Sequence, residues 1–199
     1  MSIAIVDYGA GNLASVQKAF EALRQPAVIT SDPSFVLQAE KVVVPGVGHF
    51  GATAELQTRG LQVALQAAIS QGKPILGICL GMQWMFSASD EAPDIPGLGI
   101  FPGACVRFPT EVKSPHVGWN QLSRITASQL FRDIPEGSFV YFTHSYRAPI
   151  VPATVATCEY GGHFSAAVER DNMFGVQFHP EKSGAAGKKL LQNFCELPC

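Results

Sequence analysis

A chain of 199 residues, 47% of them hydrophobic, is long enough for one domain around a substantial core. Its 14 basic against 16 acidic residues leave a net charge of −2, which argues against a nucleic-acid binder or a partner for an anionic membrane, since either needs a basic patch. No apolar run approaches the roughly 18 residues of a membrane-spanning helix, the start MSIAIVDYG lacks the marks of a signal peptide, and the five cysteines (79, 105, 158, 195 and 199) have no metal-type spacing. The expectation is a cytoplasmic chain without a disulfide framework, a structural metal or a cofactor.

Ile3 to Val6 reads as a first strand, and Gly9, Ala10, Gly11, Asn12 as a turn with Asn12 in the place of a helix N-cap. Leu13, Val16, Phe20 and Leu23 recur at helical spacing, predicting a helix over 13–24. Ala27 to Thr30 and the valine run 42–44 supply two further strands, the second of the kind buried on both faces of a parallel sheet. Leu61, Leu65, Ala68 and Ile69 mark a helix closed by Gly72, and 74–78 gives a fourth strand. Strand and helix alternate over about the first 90 residues, which implies βαβ crossovers and a mainly parallel sheet. Beyond them Gly and Pro punctuate 93–120, and short strands are expected at 139–142, 155–160, 165–169 and 174–178, the last two joined at Asp171 and Asn172. A helix over about 186–196 closes the chain. The predicted class is therefore α/β, a mainly parallel central sheet flanked by helices with added antiparallel strands in the second half.

Gly77, Cys79 and Gly81 match the nucleophile elbow G-x-S-x-G with cysteine for serine, in the required context of strand, sharp turn and helix. Such an elbow exposes its side chain at the carboxyl edge of a sheet and points a helix N-terminus at it, which favours the reactive thiolate. A lone cysteine is otherwise a small core residue, so a base is needed. His179 stands at the end of the apolar run 174–178, and in extended backbone Glu181 would share its side and orient the imidazole. His49, His116, His144 and His163 compete as bases, but none has a carboxylate so placed. After the valine strand, Gly46, Val47 and Gly48 form a turn whose glycines let a peptide plane rotate; a backbone N–H there could join that of Leu80 in an oxyanion hole. Gly9, Gly11, Ala14 and Asp32 fit a dinucleotide-binding fingerprint only weakly, and tight-turn geometry explains them as well.

The segments DYGAGNL (7–13), PGVGHFG (45–51), GICLGMQ (77–83), PHVGWN (115–120), FTHSYRA (142–148) and GVQFHPEKS (175–183) together resemble the class I (triad) glutamine amidotransferases, within them the glutaminase subunits of imidazole glycerol phosphate synthases. The resemblance implies one flavodoxin-like amidotransferase domain over 1–199 that hydrolyses L-glutamine through a thioester on Cys79, with His179 relaying protons and Glu181 orienting it. Gly46, Val47, Gly48 and Leu80, with Gln83, Ser145 and Tyr146, would hold the substrate. The ammonia would pass to a (β/α)8-barrel cyclase in a heterodimer, and Asn12, Trp119, Tyr141 and Lys182 would face that partner. Two alternatives remain at this stage: the glutaminase subunit of pyridoxal phosphate synthase, and a non-catalytic nucleotide-binding module using the loop 9–14.

Overall fold

The computed structural model describes residues 2–198; Cys199 lies outside them. In chain order the elements are β1 (Ile3–Val6), α1 (Leu13–Glu21), β2 (Ala27–Thr30), α2 (Pro33–Gln38), β3 (Lys41–Gly46), α3 (Ala54–Thr58), α4 (Leu61–Ser70), β4 (Ile75–Cys79) and α5 (Leu80–Trp84). There follow β5 (Phe86–Ser89), β6 (Phe101–Arg107), β7 (His116–Ile125), β8 (Phe139–His144), β9 (Tyr146–Arg147), β10 (Thr154–Glu159), β11 (His163–Arg170), β12 (Met173–Val176) and α6 (Gly184–Glu196).

Among the described residues nine strands form one sheet in the order β2-β1-β3-β4-β12-β11-β10-β7-β8, and β5-β6-β9 form a second, small one. From β2 to β12 the neighbours are parallel, and from β12 to β8 antiparallel. Alternation along the strands divides the core in two. Ile3, Ile5 and Val43 pack with Val16 and Phe20 of α1 and Leu190, Leu191 and Phe194 of α6; Ala4, Val6, Val42 and Val44 pack with Leu61, Leu65 and Ala68 of α4. The sheet is thus covered on both faces, the arrangement that near-continuous apolar strands require. Pro45 is tolerated in the central β3 because the ladder to β1 ends at Val43, whereas the ladder to β4 continues to Gly46.

Several sequence expectations need correction. The first helix stops at Glu21 rather than 24, and Asn12 stands at its N-cap position without making a side-chain cap bond. Asp32 is the N-cap of a helix: its carboxylate accepts from Ser34 N at 2.8 Å and caps α2, whose Pro33 sits in the first turn. That capping role explains Asp32 without a nucleotide. The stretch 93–120, which Gly and Pro punctuate and where no strand is expected, contains β6 and the start of β7. The alternation of β7 is inverted, with His116 buried and Val117 and Trp119 exposed, so a search for inward-facing apolar residues passes over it.

Candidate active site

Cys79 ends β4 at φ +54°, ψ −105°, a sparsely populated conformation for a non-glycine residue. Close packing of α5 on the strands holds it there: a Cβ on Gly81 would stand 1.8 Å from Val44 O, and one on Gly77 2.8 Å from the Gly81 backbone. The thiol is not exposed as an open elbow would have it; Cys79 is 5% accessible and borders a small cavity. α5 is only five residues long and adds little dipole, so the charge partner of the thiol must come from elsewhere.

It comes from the segment after β12. That strand ends at Val176, two residues short of the predicted run, and Pro180–Lys182 forms a 3-10 turn rather than extended chain. The turn nonetheless brings Glu181 Oε1 to 2.8 Å from His179 Nδ1, with both side chains buried. The backbone around His179 is tied down on both sides: its N–H donates to Tyr141 O at 2.9 Å, and its carbonyl accepts from Ser183 Oγ at 2.6 Å. Nδ1–H donates to the carboxylate, which leaves Nε2, without a formed hydrogen bond, as the nitrogen that can gain or give a proton. Burial opposes charge on the ring, but the adjacent Cys79 and then Glu181 outweigh it and raise the imidazole pKa to about 10. A cysteine, a histidine able to keep its proton beside it, and a buried carboxylate are the parts of a nucleophile–base–orienter set.

A cavity of about 200 Å³ is lined by Cys79 together with Gly48, Leu80, Gln83, Ser145 and Tyr146. A larger one, about 650 Å³ between Ala127 and Pro198, has neither cysteine nor histidine on its walls. Of the predicted substrate contacts, Gly46 sits level with Cys79 across β3 and β4 without lining the smaller cavity, and Val47 is exposed and does not line it either. Gln83 lines it, but its amide nitrogen is committed to Tyr146 O at 2.8 Å and Gln177 Oε1 at 3.1 Å.

Sequence reasoning missed the groups that hold these walls. Gln177 Nε2 lies 3.6 Å from Cys79 Sγ as a donor, and the thiol in turn faces Thr143 O at 3.9 Å. His116 and His144, considered only as rival bases, form a neutral relay instead. Asn120 Nδ2 donates to His116 Nε2 (3.3 Å), His116 Nδ1 to His144 Nε2 (3.2 Å), and His144 Nδ1 to Tyr146 O (2.8 Å). Burial pushes the His116 pKa down to about 4 and that of His144 to about 3, so both rings stay uncharged and the donor order holds. No spacing rule marks this relay, because its members meet only when β7 and β8 pair. Among the described residues no group of three or more His, Cys, Asp or Glu could hold a metal ion.

Three of the four predicted partner-facing residues share one surface. Trp119 and Tyr141 are register partners on β7 and β8 with ring centroids 6.1 Å apart, and Lys182 Nζ lies 5.7 Å from the Tyr141 ring. Asn12 is exposed at the start of α1 and shares none of these ring contacts.

The family described as glutamine amidotransferase class-I matches residues 4–197. The chain belongs to that family. Among curated class I amidotransferase relatives, imidazole glycerol phosphate synthase subunit HisH of Moorella thermoacetica is 48% identical, over 98% of this chain and 94% of the relative. The HisH subunit of Thermococcus kodakarensis is 49% identical over 98% of this chain and all of the relative. A crystal structure of a glutamine amidotransferase superposes with a TM-score of 0.76 at 16% identity, covering 97% of both chains, and PurLQS from Thermotoga maritima contains a chain that does so at 0.75 and 20%, covering 98% and 97%. The amidotransferase fold is thus retained where little sequence is.

Proposed function

We propose that the chain is the glutaminase subunit of an imidazole glycerol phosphate synthase, working in the cytoplasm as a heterodimer with a (β/α)8-barrel cyclase. It hydrolyses L-glutamine to glutamate and passes the ammonia to the cyclase for imidazole-ring formation in histidine biosynthesis. The observation that carries the reading is the burial of His179 between Glu181 and a thiol at a positive-φ elbow, in a chain close to half identical to HisH subunits along nearly its whole length.

Cys79 Sγ attacks the carboxamide carbon, and the charge that develops on oxygen is taken up by the N–H of Leu80 and by one from the turn Gly46, Val47, Gly48. His179 gives its proton to the amide nitrogen as the C–N bond breaks; ammonia leaves and a thioester remains. Water then attacks the thioester, His179 takes the proton, and glutamate departs as the thiolate reforms. Glu181 holds the imidazole throughout. The backbone of Ser145 and Tyr146, where His144 and Gln83 hold the Tyr146 carbonyl, grips the amino-acid end of glutamine. Asn12, Trp119, Tyr141 and Lys182 meet the cyclase. The test is Cys79→Ala: glutamate release in the presence of the cyclase should disappear while the variant still folds and still binds the cyclase. Full release from that variant would refute the assignment.

A further inference from the structure

Tyr8 follows β1, and its side chain is completely buried with a hydroxyl that has no hydrogen-bond partner. Buried hydroxyls are seldom left unmade, so the exception asks for a reason. Its place is specific. A Cβ on Gly46 would stand 2.1 Å from the Tyr8 hydroxyl oxygen and 2.8 Å from Leu80 Cβ, so the phenol end presses on the Gly46–Gly48 turn beside the residue that follows the nucleophile. Burial, and then the nearness of Cys79, raise the phenol pKa above its ordinary range, so at neutral pH the group is an O–H donor.

Strand order indicates what it would donate to. β3 lies between β1 and β4, with Gly46 level with Cys79 on the β4 side and no register pair to β1 beyond Val43. In a trans peptide the N–H and C=O point opposite ways. A peptide past Gly46 that turns its N–H toward Cys79 therefore turns its C=O toward the side from which Tyr8 arrives. The turn has room for this: Gly48 sits at φ +105° with nothing within 4 Å of a Cβ position, and Val47 is exposed. We propose that Tyr8 is a positioning residue for the oxyanion donor, its hydroxyl donating to a carbonyl of the Gly46–Gly48 turn when that turn rotates a peptide N–H toward Cys79. The inference rests on the thioester chemistry proposed above.

The experiment compares parent and Tyr8→Phe chains in complex with the cyclase. Because the hydroxyl has no partner at rest, its removal should leave the melting temperature equal or higher. Over the same comparison kcat for glutamate release should fall about tenfold, with KM within about twofold and iodoacetamide alkylation of Cys79 at the parental rate. An unchanged kcat overturns the proposal. So does a fall in kcat matched by a lower melting temperature or slower alkylation, which marks a packing defect. A parental complex that releases no glutamate overturns the glutaminase reading, and this inference with it.

Discussion

His179 shows how one residue's surroundings decide its chemistry. Exposed, it would titrate near 6.5; buried between Cys79 and Glu181, it keeps its proton to about pH 10. The folded pKa is thus raised above the unfolded one. The stabilisation is therefore fully present below about pH 6.5 and is lost as pH rises through about 10. Denaturant midpoints measured between about pH 6 and 11 should fall across that window, and in Cys79→Ala the fall should come at lower pH, because one of the two partners that raise the pKa is gone. An identical pH dependence in the two proteins would show that the thiol does not act on the ring. Burial opposes charge on His144 in the same way, but that ring faces another histidine instead of a carboxylate, so nothing outweighs burial and it stays neutral. The sequence pointed to His179 through its neighbour Glu181, and it could not show what Asn120, His116 and His144 do, because their order of donation depends on a cross-strand meeting.

Among the elements, α5 is the most constrained. Its first turn lies almost on top of β3, and Gly81 makes this possible by leaving Val44 O uncovered. Gly81→Ala should cost about 1–3 kcal/mol by overpacking and move the Leu80 N–H, so that melting temperature and glutaminase turnover fall together; calorimetry and a glutamate assay check both. This element was legible because the elbow's demands are local and recur at fixed spacing. Other elements were not. α2 is too short, six residues, for a helical period to show, although Asp32 followed by Pro33 carried its start signal. β12 fell short of the apolar run that predicted it: Gln177 N–H still donates to Ala166 O, but the register with β11 and β4 ends at Val176, and the chain goes on to bring His179 N–H to Tyr141 O of β8.

At the scale of the whole molecule, the exposed face of the β7–β8 hairpin stands out. Val117, Trp119 and Phe139 are each more than half exposed, and Trp119 and Tyr141 are cross-strand partners near Lys182. This is the surface proposed to meet the cyclase, and it is one hydrogen bond from the triad, because the Tyr141 carbonyl receives the His179 N–H. Trp119→Ala should weaken cyclase binding by about 2 kcal/mol, roughly thirty-fold in Kd, as loss of a central aromatic anchor does; titration calorimetry measures it. An unaltered Kd would move the interface elsewhere. The sequence by itself determined the α/β class, the elbow at Cys79 and its pairing with His179 and Glu181, because strand periodicity and triad chemistry both impose short, repeated spacings. Only the tertiary structure decided that Tyr8 reaches Gly46 and that the relay through His116 and His144 holds the Tyr146 carbonyl. Those contacts join strands far apart in the chain, and no local pattern of residues encodes which side chains a sheet will bring together.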